Sequence, residues 1–192
     1  MTITEPDVLE ALRDAGAILH GHFQLTSGRH SDTYVQCARI LEDPALTTRL
    51  AEAMAASVAG RGIDLVASPA VGGIIIGFAV AQALGVKFIF AERQEGTMTF
   101  RRSFTVQPGQ RVLVVEDVVT TGGSVAEVVD LVRASGGEVV AVTSIIDRGG
   151  AKAFDAEFLP LLRLQVESME PQACPQCASK VHIYSPGSRR LG

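Results

Sequence analysis

The stretch RVLVVEDVVTTGGSVAEVVDLVRASGGEVVAVTSIID, residues 111–147, determines the fold of this chain. It opens and closes with Val- and Ile-rich runs that carry no internal charge, Arg111–Val115 and Val139–Ile146. Continuous β-branched runs of this kind are typical of strands buried on both faces of a parallel sheet. Between them, Ser124–Ser135 has the length of a helix and is followed by a glycine pair, a common C-terminal stop signal. The stretch therefore predicts a β-α-β unit.

A second β-α-β unit is predicted upstream. Apolar runs at Leu65–Ala67 and Lys87–Phe90 flank a helical stretch at Ile74–Leu84, which Gly85 ends. A further helix, rich in Ala, Leu and Met, is predicted at Pro44–Ala59. Two such units with right-handed crossovers predict an α/β fold, an open and mostly parallel, doubly wound sheet flanked by helices. Ligands of such sheets bind beyond the carboxyl ends of the strands, so the loops there are the candidate functional segments.

The two ends of the chain depart from this pattern. Residues 1–40 predict a short helix at Pro6–Ala15, an irregular polar stretch GHFQLTSGRHSDTY and a strand-like segment YVQCARI, and we interpret them as an N-terminal cap segment. The composition changes again near the end, so residues 171–192 are interpreted as a C-terminal extension. Because a typical domain has about 150 residues, the chain is predicted to form a single domain, 1–192.

The composition excludes several classes of function. Hydrophobic residues make up 47% and charged residues 20% of the chain, as in an ordinary globular protein. The formal net charge of −4 does not favour nucleic-acid binding. The N-terminus lacks a signal-peptide pattern, and the longest apolar stretch is shorter than the ~20 residues that span a bilayer. With three cysteines and no disulfide pattern, we expect a cytoplasmic protein that binds neither nucleic acid nor membranes.

A candidate phosphate-binding segment follows the strand that starts at Arg111. Residues Thr120–Ser124 combine hydroxyl groups, two glycines and the N-terminus of a helix, which are the parts of a phosphomonoester cradle. The preceding acidic pair, Glu116-Asp117, can accept hydrogen bonds from the hydroxyls of a ribose whose 5′-phosphate lies in that cradle. The alternative is a capped helix with acidic residues near its N-terminus. Arginines, 14 of the 17 basic residues, are expected to complete any anion site.

The nonamer EDVVTTGGS, residues 116–124, resembles the ribose-phosphate motif of the type I phosphoribosyltransferases. The longer VLVVEDVVTTGGS is similar in particular to the orotate phosphoribosyltransferases. Other segments resemble that family in its order along the chain: GHFQLTSGRHSDTYVQ its orotate-proximal segment, SPAVGGIIIG its pyrophosphate loop, AERQEGTMTFRRSF its mobile catalytic loop, and Asp147-Arg148 its Asp-Arg pair. The resemblance implies the type I phosphoribosyltransferase fold, with a small N- and C-terminal cap and a mobile loop.

The resemblance also implies a function. Enzymes of this family are pentosyltransferases that transfer the 5-phosphoribosyl group of phosphoribosyl pyrophosphate (PRPP) to orotate. The products are orotidine 5′-monophosphate and pyrophosphate, on the de novo route to UMP. The resemblance implies Mg²⁺ as cofactor, held through PRPP with Asp117 as a candidate ligand. It further implies a homodimer whose loop 92–104 reaches the neighbouring active site.

Site residues follow from the same resemblance. The implied PRPP-binding residues are Ala70, Val71, Gly72, Gly73, Arg93, Glu116, Asp117, Thr120, Thr121, Gly122, Gly123 and Ser124. The implied orotate-binding residues are Ser27, His30, Thr120 and Arg148, and the implied catalytic residues are Arg101, Arg102 and Asp117. A non-proline cis peptide bond is implied at Ala70-Val71, and Gly96–Thr99 is expected to be a flexible polar tip.

Departures from the family pattern leave two questions open. The mobile loop lacks the usual lysine, so either Arg101 or Arg102 is expected to stabilise pyrophosphate in its place. Cys174 and Cys177 have zinc-knuckle spacing, but a closed site needs four ligands and the tail adds only His182. We expect a structural role without metal for these cysteines, with a metal site shared between two subunits as the alternative.

Three other functions compete with this interpretation. A purine phosphoribosyltransferase would share the ribose-phosphate motif, but the segment 21–36 and Arg148 favour orotate. A PRPP-sensing regulator without catalysis would carry a basic DNA-binding segment, which the acidic N-terminus does not provide. A nicotinamide dehydrogenase is disfavoured because its glycine fingerprint is missing.

Overall fold

A computed structural model describes residues 3–25 and 27–186. Its helices and strands, in chain order, are α1 (Glu5–Asp14), β1 (Ile18–Gln24), β2 (His30–Val35), α2 (Ala38–Leu41), α3 (Pro44–Ser57), β3 (Leu65–Pro69), α4 (Gly73–Leu84), β4 (Lys87–Gln94), β5 (Thr97–Phe100), β6 (Arg111–Val119), α5 (Gly123–Ala134), β7 (Glu138–Asp147), β8 (Phe158–Arg163) and α6 (Pro175–Ala178). Short 3₁₀ turns lie at Gly150–Ala153 and Pro171–Ala173. The strands and helices predicted for the two β-α-β units are confirmed as β3, α4, β4 and β6, α5, β7.

The central sheet has six strands in the order β5-β4-β3-β6-β7-β8. Neighbouring strands from β4 to β8 run parallel, and β5 pairs antiparallel with β4 at one edge. The chain moves outward from β3 to β4 in the first unit and outward from β6 to β7 in the second. The strand order therefore reverses between β3 and β6, and such a switch point leaves a ligand crevice at the carboxyl ends of the two strands.

Helices cover both faces of the sheet. Along β6, Leu113 and Val115 belong to the core that contains α1, α3 and α4, whereas Val112 and Val114 belong to the core that contains α5. All four side chains are completely buried. Successive side chains of a strand point to opposite faces, so a strand buried on both sides needs an uninterrupted apolar run. This is the physical origin of the sequence pattern.

Helix α4 lies very close to the sheet because of one glycine. A β-carbon on Gly77 would collide with Ser68 Oγ and would lie 2.6 Å from a ring carbon of Phe88. The close packing brings the start of α4, and the turn before it, directly over the carboxyl end of β3. Within the described residues, no helix is long and apolar enough to cross a bilayer.

The prediction for the N-terminal cap was wrong in two respects. The stretch expected to be irregular forms most of an antiparallel hairpin, in which Ile18 pairs with Val35 and Gln24 pairs with His30. The segment YVQCARI contributes only its first residues to β2 and then turns into the short helix α2. Two histidines and Gly21 in β1 have weak strand preference, so cross-strand pairing rather than local propensity forms this hairpin.

The C-terminal extension folds onto that hairpin. His30 and Met169 exchange backbone hydrogen bonds of 2.9 and 2.8 Å. The backbone of Tyr184 accepts a hydrogen bond from Gln24 N and donates one to His22 O. Cys174 is buried, with 4% of its surface exposed. The described part of the extension is thus packed structure, and its residues 187–192 lie outside the described residues.

Candidate active site

Two turns meet at the switch point of the sheet. The first, Ala70–Gly73, follows β3 and leads into α4; its start is fixed by a 2.7 Å hydrogen bond from Ala70 N to Ala91 O of the neighbouring strand. The Ala70-Val71 peptide bond is cis, which confirms the expectation for this turn. The second turn, Thr120–Gly122, follows β6 and leads into α5. Both turns place a helix N-terminus at the same edge of the sheet, where anions are favoured.

The acidic pair lies in β6 and contacts the first turn. A β-carbon on Gly72 would lie 2.8 Å from Asp117 Oδ1, and one on Gly73 would lie 3.0 Å from Glu116 Oε1. The first distance is shorter than real β-carbon contacts and the second is at their lower limit, so a side chain at either position would have to displace a carboxylate. The carboxylates therefore lie next to the first turn and directly before the second.

Burial raises the pKa of both carboxyl groups of this pair. It raises the pKa of Glu116 well above its usual range, and the neighbouring Asp117 carboxylate adds to the effect. Burial also raises the pKa of Asp117, against hydrogen bonds that favour its charged form, such as the 2.7 Å bond from Val118 N to Asp117 Oδ1. Among the described residues, neither carboxylate forms an ion pair with Arg, Lys or His. The pair is suited to hydroxyl donors or to a cation.

The second turn has the features of an anion cradle. No side chain caps the N-terminus of α5, in contrast to the interpretation of this segment as a capped helix. Gly122 has φ of 77°, a left-handed conformation that favours glycine. A β-carbon there would collide with Gly150 O and lie 2.7 Å from the Ala153 side chain. Thr120, Thr121 and Gly123 are exposed, so the hydroxyls and the first amides of α5 are accessible to a ligand.

Arg148 follows β7 beside the same crevice. Its backbone N–H donates to Val119 O at 2.8 Å, which ties it to the end of β6. Its side chain is partly buried, and the buried Nε has no hydrogen-bond partner among the described residues. Burial lowers the pKa of Arg148, while the nearby Tyr34 and Cys37 raise it. A guanidinium with a buried, unused N–H is available for a carboxylate ligand.

The segment 92–104 forms a hairpin beside the first turn. Gly96–Thr99 was expected to be a flexible tip, but Thr97–Phe100 is strand β5, paired with β4. The Arg101 and Arg102 guanidinium groups lie 3.6 and 3.3 Å from the carboxylate of Glu92. Arg102 also lies 5.5 Å from the centre of the Phe90 ring. Both cations thus share one acidic partner at the base of the hairpin.

Arg93, on the same hairpin, is oriented toward α5. Its Nη1 donates to Gly96 O at 2.8 Å, and its Nη2 lies 2.8 Å from Glu127 Oε1. All three arginines of segment 92–104 are thus paired with acidic side chains rather than directed at the turn Ala70–Gly73.

Comparisons with known proteins decide the family of this chain. The family model described as "Phosphoribosyl transferase domain" matches residues 37–159. An orotate phosphoribosyltransferase of Chlorobium phaeobacteroides (strain BS1) is 47% identical over 98% of both chains, and one of Carboxydothermus hydrogenoformans is 49% identical over 96% of this chain and 98% of its own. The chain belongs to the orotate phosphoribosyltransferase family.

Solved structures of this family share the fold. The orotate phosphoribosyltransferase of Aeropyrum pernix has a TM-score of 0.70 at 27% identity, covering 82% of this chain and 93% of its own. The Mycobacterium tuberculosis H37Rv orotate phosphoribosyltransferase, solved in complex with inorganic phosphate, has a TM-score of 0.66 at 29% identity and covers 83% and 96%. The type I phosphoribosyltransferase fold expected from the sequence is thereby confirmed.

Two of the residues expected to bind orotate lie elsewhere. His30 is buried, and its Nδ1 faces His22 and Cys177 rather than the crevice. It lies four residues from Tyr34 along β2, about 13 Å in an extended strand, and Tyr34 is the residue of this strand that approaches Arg148. Ser27 is exposed in the hairpin turn next to His30. The orientation of His30 does not favour its expected orotate-binding role, and the role of Ser27 stays a prediction.

Two residues near Arg148 were not predicted for this orotate phosphoribosyltransferase site. Tyr34 and Cys37 lie close enough to Arg148 and Asp117 to alter one another's pKa. Burial raises the pKa of the Tyr34 hydroxyl and, to a greater extent, that of the Cys37 thiol. The sequence signal for Tyr34 was present, because it lies in the segment that resembles the orotate-proximal segment of the family.

Proposed function

We propose that this chain transfers the 5-phosphoribosyl group of PRPP to N1 of orotate, forming orotidine 5′-monophosphate and pyrophosphate on the route to UMP. The observation that carries the proposal is the contact of Asp117 and Glu116 with the turn at Gly72-Gly73. It puts acceptors for ribose hydroxyls between two anion-binding turns. PRPP has the complementary shape, with a ribose between a 5-phosphate and a pyrophosphate. The choice of orotate as the base follows the family to which the chain belongs.

The PRPP-binding residues divide into three groups. Thr120–Ser124 hold the 5-phosphate through hydroxyls and the exposed amides of α5. Glu116 and Asp117 accept hydrogen bonds from the ribose hydroxyls. Ala70–Gly73 offer backbone amides to the pyrophosphate, and Arg93 adds a positive charge after exchanging Glu127 for a phosphate oxygen.

The orotate-binding residues lie on the other side of the ribose site. Arg148 binds the orotate carboxylate, for which its unused buried Nε–H provides one arm of a bidentate interaction. Thr120 borders the base from the second turn, and we add Tyr34 as a residue that lines this part of the crevice. This arrangement points the base nitrogen toward C1 of a ribose held by Glu116 and Asp117.

A divalent cation fits the acidic pair. Glu116 is buried, Asp117 is partly buried, and neither has a cationic partner in the described part of the chain, so they match the oxygen ligands that Mg²⁺ prefers, together with substrate oxygens and water. We propose that Asp117 contributes to holding Mg²⁺, which is bound mainly through PRPP. The ion would neutralise charge on the pyrophosphate when bound.

The proposed reaction needs no protein nucleophile. Substitution at C1 of the ribose develops oxocarbenium character, so the chain has to hold the ribose, orient the base and stabilise the leaving group. A guanidinium group offers N–H donors and a fixed positive charge, so the contribution of Arg101 and Arg102 is electrostatic. They must leave Glu92 to reach the pyrophosphate, which gives the hairpin a mobile role.

We further propose a homodimer in which hairpin 92–104 reaches the neighbouring active site. Val71, Ile75 and Phe78 are exposed by 82%, 53% and 60%, and they form an apolar strip along the first turn and α4. An apolar strip of this kind beside a binding site is typical of a protein interface. A second copy on this face would lie next to the pyrophosphate turn.

We also infer that residues 1–192 act as one domain. The hairpin of the N-terminal cap and the C-terminal extension are joined by backbone hydrogen bonds, so the two predicted end segments form one cap. Tyr34 of this cap reaches the crevice of the sheet.

The proposed activity is tested by initial rates with PRPP, Mg²⁺ and one base at a time. We expect turnover with orotate and none with adenine or hypoxanthine. Turnover with a purine base instead would favour a purine phosphoribosyltransferase. PRPP binding without turnover on any base would favour a PRPP-sensing regulator.

A further inference from the structure

Four potential metal ligands converge in the cap, away from the proposed active site. His22 and His30 come from the β1–β2 hairpin, and Cys174 and Cys177 come from the C-terminal extension. One ligand atom from each residue lies within 4.8 Å of the other three. His22, His30 and Cys174 are buried. The cysteines of the tail are thus completed not by His182 but by two histidines about 150 positions earlier in the chain.

Four of the six distances between ligand atoms are close to those of a tetrahedral zinc site. With Zn–N near 2.0 Å and Zn–S near 2.3 Å, tetrahedral geometry separates two nitrogens by about 3.3 Å and a nitrogen from a sulfur by about 3.5 Å. Here His22 Nε2 lies 3.1 Å from His30 Nδ1, and 3.4 and 3.6 Å from the sulfurs of Cys174 and Cys177. Cys177 Sγ lies 3.3 Å from His30 Nδ1.

Hydrogen bonding alone does not account for the cluster. His22 Nδ1 lies 2.9 Å from Val181 O, and because a carbonyl only accepts, Nδ1 carries the proton. The Nε2 of a neutral His22 then has a single lone pair, yet a histidine nitrogen and two sulfurs lie around it. A cation between the four atoms satisfies all of them at once. The bond to a backbone carbonyl is also the usual outer contact that orients a metal-binding histidine.

We propose that His22, His30, Cys174 and Cys177 bind one structural Zn²⁺ ion. Two thiolates balance the charge of the ion, so the buried site is neutral overall. A Cys₂His₂ ligand set is closed, which leaves no position for substrate and separates this site from the Mg²⁺ proposed for PRPP. The ion would clamp the C-terminal extension to the hairpin whose far end carries Tyr34. The proposal does not depend on the proposed function.

The first experiment measures the metal content of the purified full-length protein by elemental analysis. We expect about one zinc per chain in the wild type. Cys177→Ser and His30→Gln should each weaken zinc binding by at least about tenfold, whereas Cys177→His, which restores a ligand, should retain the metal. His182→Gln is the matched control, because His182 lies in the same extension outside the cluster, and it should hold zinc like the wild type.

A second measurement does not depend on how the variants fold. Wild-type protein stripped of metal and loaded with Co²⁺ should show the visible absorption of tetrahedral cobalt with thiolate ligands. Stripped protein given back only Mg²⁺ should melt at a lower temperature than protein given back Mg²⁺ and Zn²⁺. Wild-type protein without metal and with a Cys174–Cys177 disulfide would overturn the site. Stoichiometric iron in place of zinc would overturn the choice of metal, and loss of zinc in His182→Gln would overturn the ligand set.

Discussion

Gly72 and Asp117 are in direct contact, so that a β-carbon on Gly72 would lie only 2.8 Å from the Asp117 carboxylate. The two residues are 45 positions apart in the chain. Gly72 follows β3, and Asp117 lies near the end of β6, the adjacent parallel strand. Their contact joins the turn assigned to pyrophosphate to the acidic pair assigned to ribose. The first prediction tests the carboxylate of this pair.

Asp117→Asn removes the charge with almost no change in shape. We expect a loss of about 2–4 kcal/mol of transition-state stabilisation, or roughly 30- to 800-fold in kcat/KM, because the ribose hydroxyls and the cation lose a charged acceptor. Steady-state kinetics with PRPP and orotate measure the effect. Asp130→Asn, on the exposed side of α5, is the control and should behave like the wild type. Wild-type kinetics for Asp117→Asn would rule out a direct role.

Gly122 and Gly123 should respond differently to alanine. At Gly122, a β-carbon meets Gly150 O and the φ of 77° is unfavourable, so Gly122→Ala should lose about 1–3 kcal/mol of folding free energy. At Gly123, the nearest atom is Thr121 Oγ1 at 3.9 Å, so the fold should tolerate alanine. Thermal unfolding distinguishes the two variants.

A bulkier residue at Gly123 probes the phosphate cradle itself. Gly123→Val should raise KM for PRPP far more than KM for orotate, because the exposed amides there are assigned to the 5-phosphate. An equal rise in both values, with unchanged thermal unfolding, would contradict that assignment.

Glu116 should make stability depend on pH. Its folded-state pKa is raised above the ordinary value of 4.5 by burial and by Asp117. The stabilisation from the protonated form is therefore complete below that value and is lost as pH rises through the folded-state pKa. Relative to Glu116→Gln, which stays neutral, the wild type should become less stable across this window. Melting temperatures of both proteins, measured from acidic to neutral pH without ligands, should converge at the acidic end; a constant difference would contradict the raised pKa.

Arg148→Lys keeps a positive charge but loses the planar fork that binds a carboxylate through two N–H groups. We expect KM for orotate to rise by roughly tenfold or more while KM for PRPP changes little. Arg163→Lys is the matched control, because Arg163 is exposed and lies 4.0 Å from Asp147. A rise confined to KM for PRPP would mean that Arg148 contacts PRPP rather than orotate.

Arg101 and Arg102 share Glu92, so alanine substitution should identify which of them acts on pyrophosphate. At the responsible position, alanine should lower kcat by about tenfold or more, and lysine should restore part of the activity because the effect is electrostatic. Alanine at the other position should have little effect. Full loss of activity in the lysine variant would contradict an electrostatic role.

The proposed dimer is tested by mixing two subunits that are impaired in different parts of the site. A double variant Arg101→Ala/Arg102→Ala lacks the hairpin cations, and Asp117→Asn lacks the ribose acceptor. If the hairpin works across the interface, each heterodimer regains one intact site, and the activity of the mixture should exceed that of either parent. Heterodimers that form without recovering activity would mean that each hairpin serves its own subunit.

The central sheet and its ligand edge could be predicted from local sequence. Strands β3, β6 and β7 are buried on both faces over most of their length, so they require uninterrupted apolar runs, and Gly85 ends α4 with a φ of 70°. The anion cradle at Thr120–Ser124 was likewise visible, because a cradle of backbone amides is built from consecutive residues. The strands and the cradle are each formed by residues that are consecutive in the chain, so a local pattern can predict them.

The cap and the partners of its histidines were decided by tertiary structure alone. The hairpin of β1 and β2 forms through pairing that overrides weak local preference, and His30 faces Cys177 because the extension, which follows the last strand of the sheet, packs back onto the hairpin. The same holds for the contact of Gly72 with Asp117. The sequence by itself determined the strands and helices of the two β-α-β units and the residues of the turns that follow β3 and β6. Packing between segments far apart in the chain decided which side chains meet across the crevice and in the cap. No local sequence pattern specifies contacts between such segments.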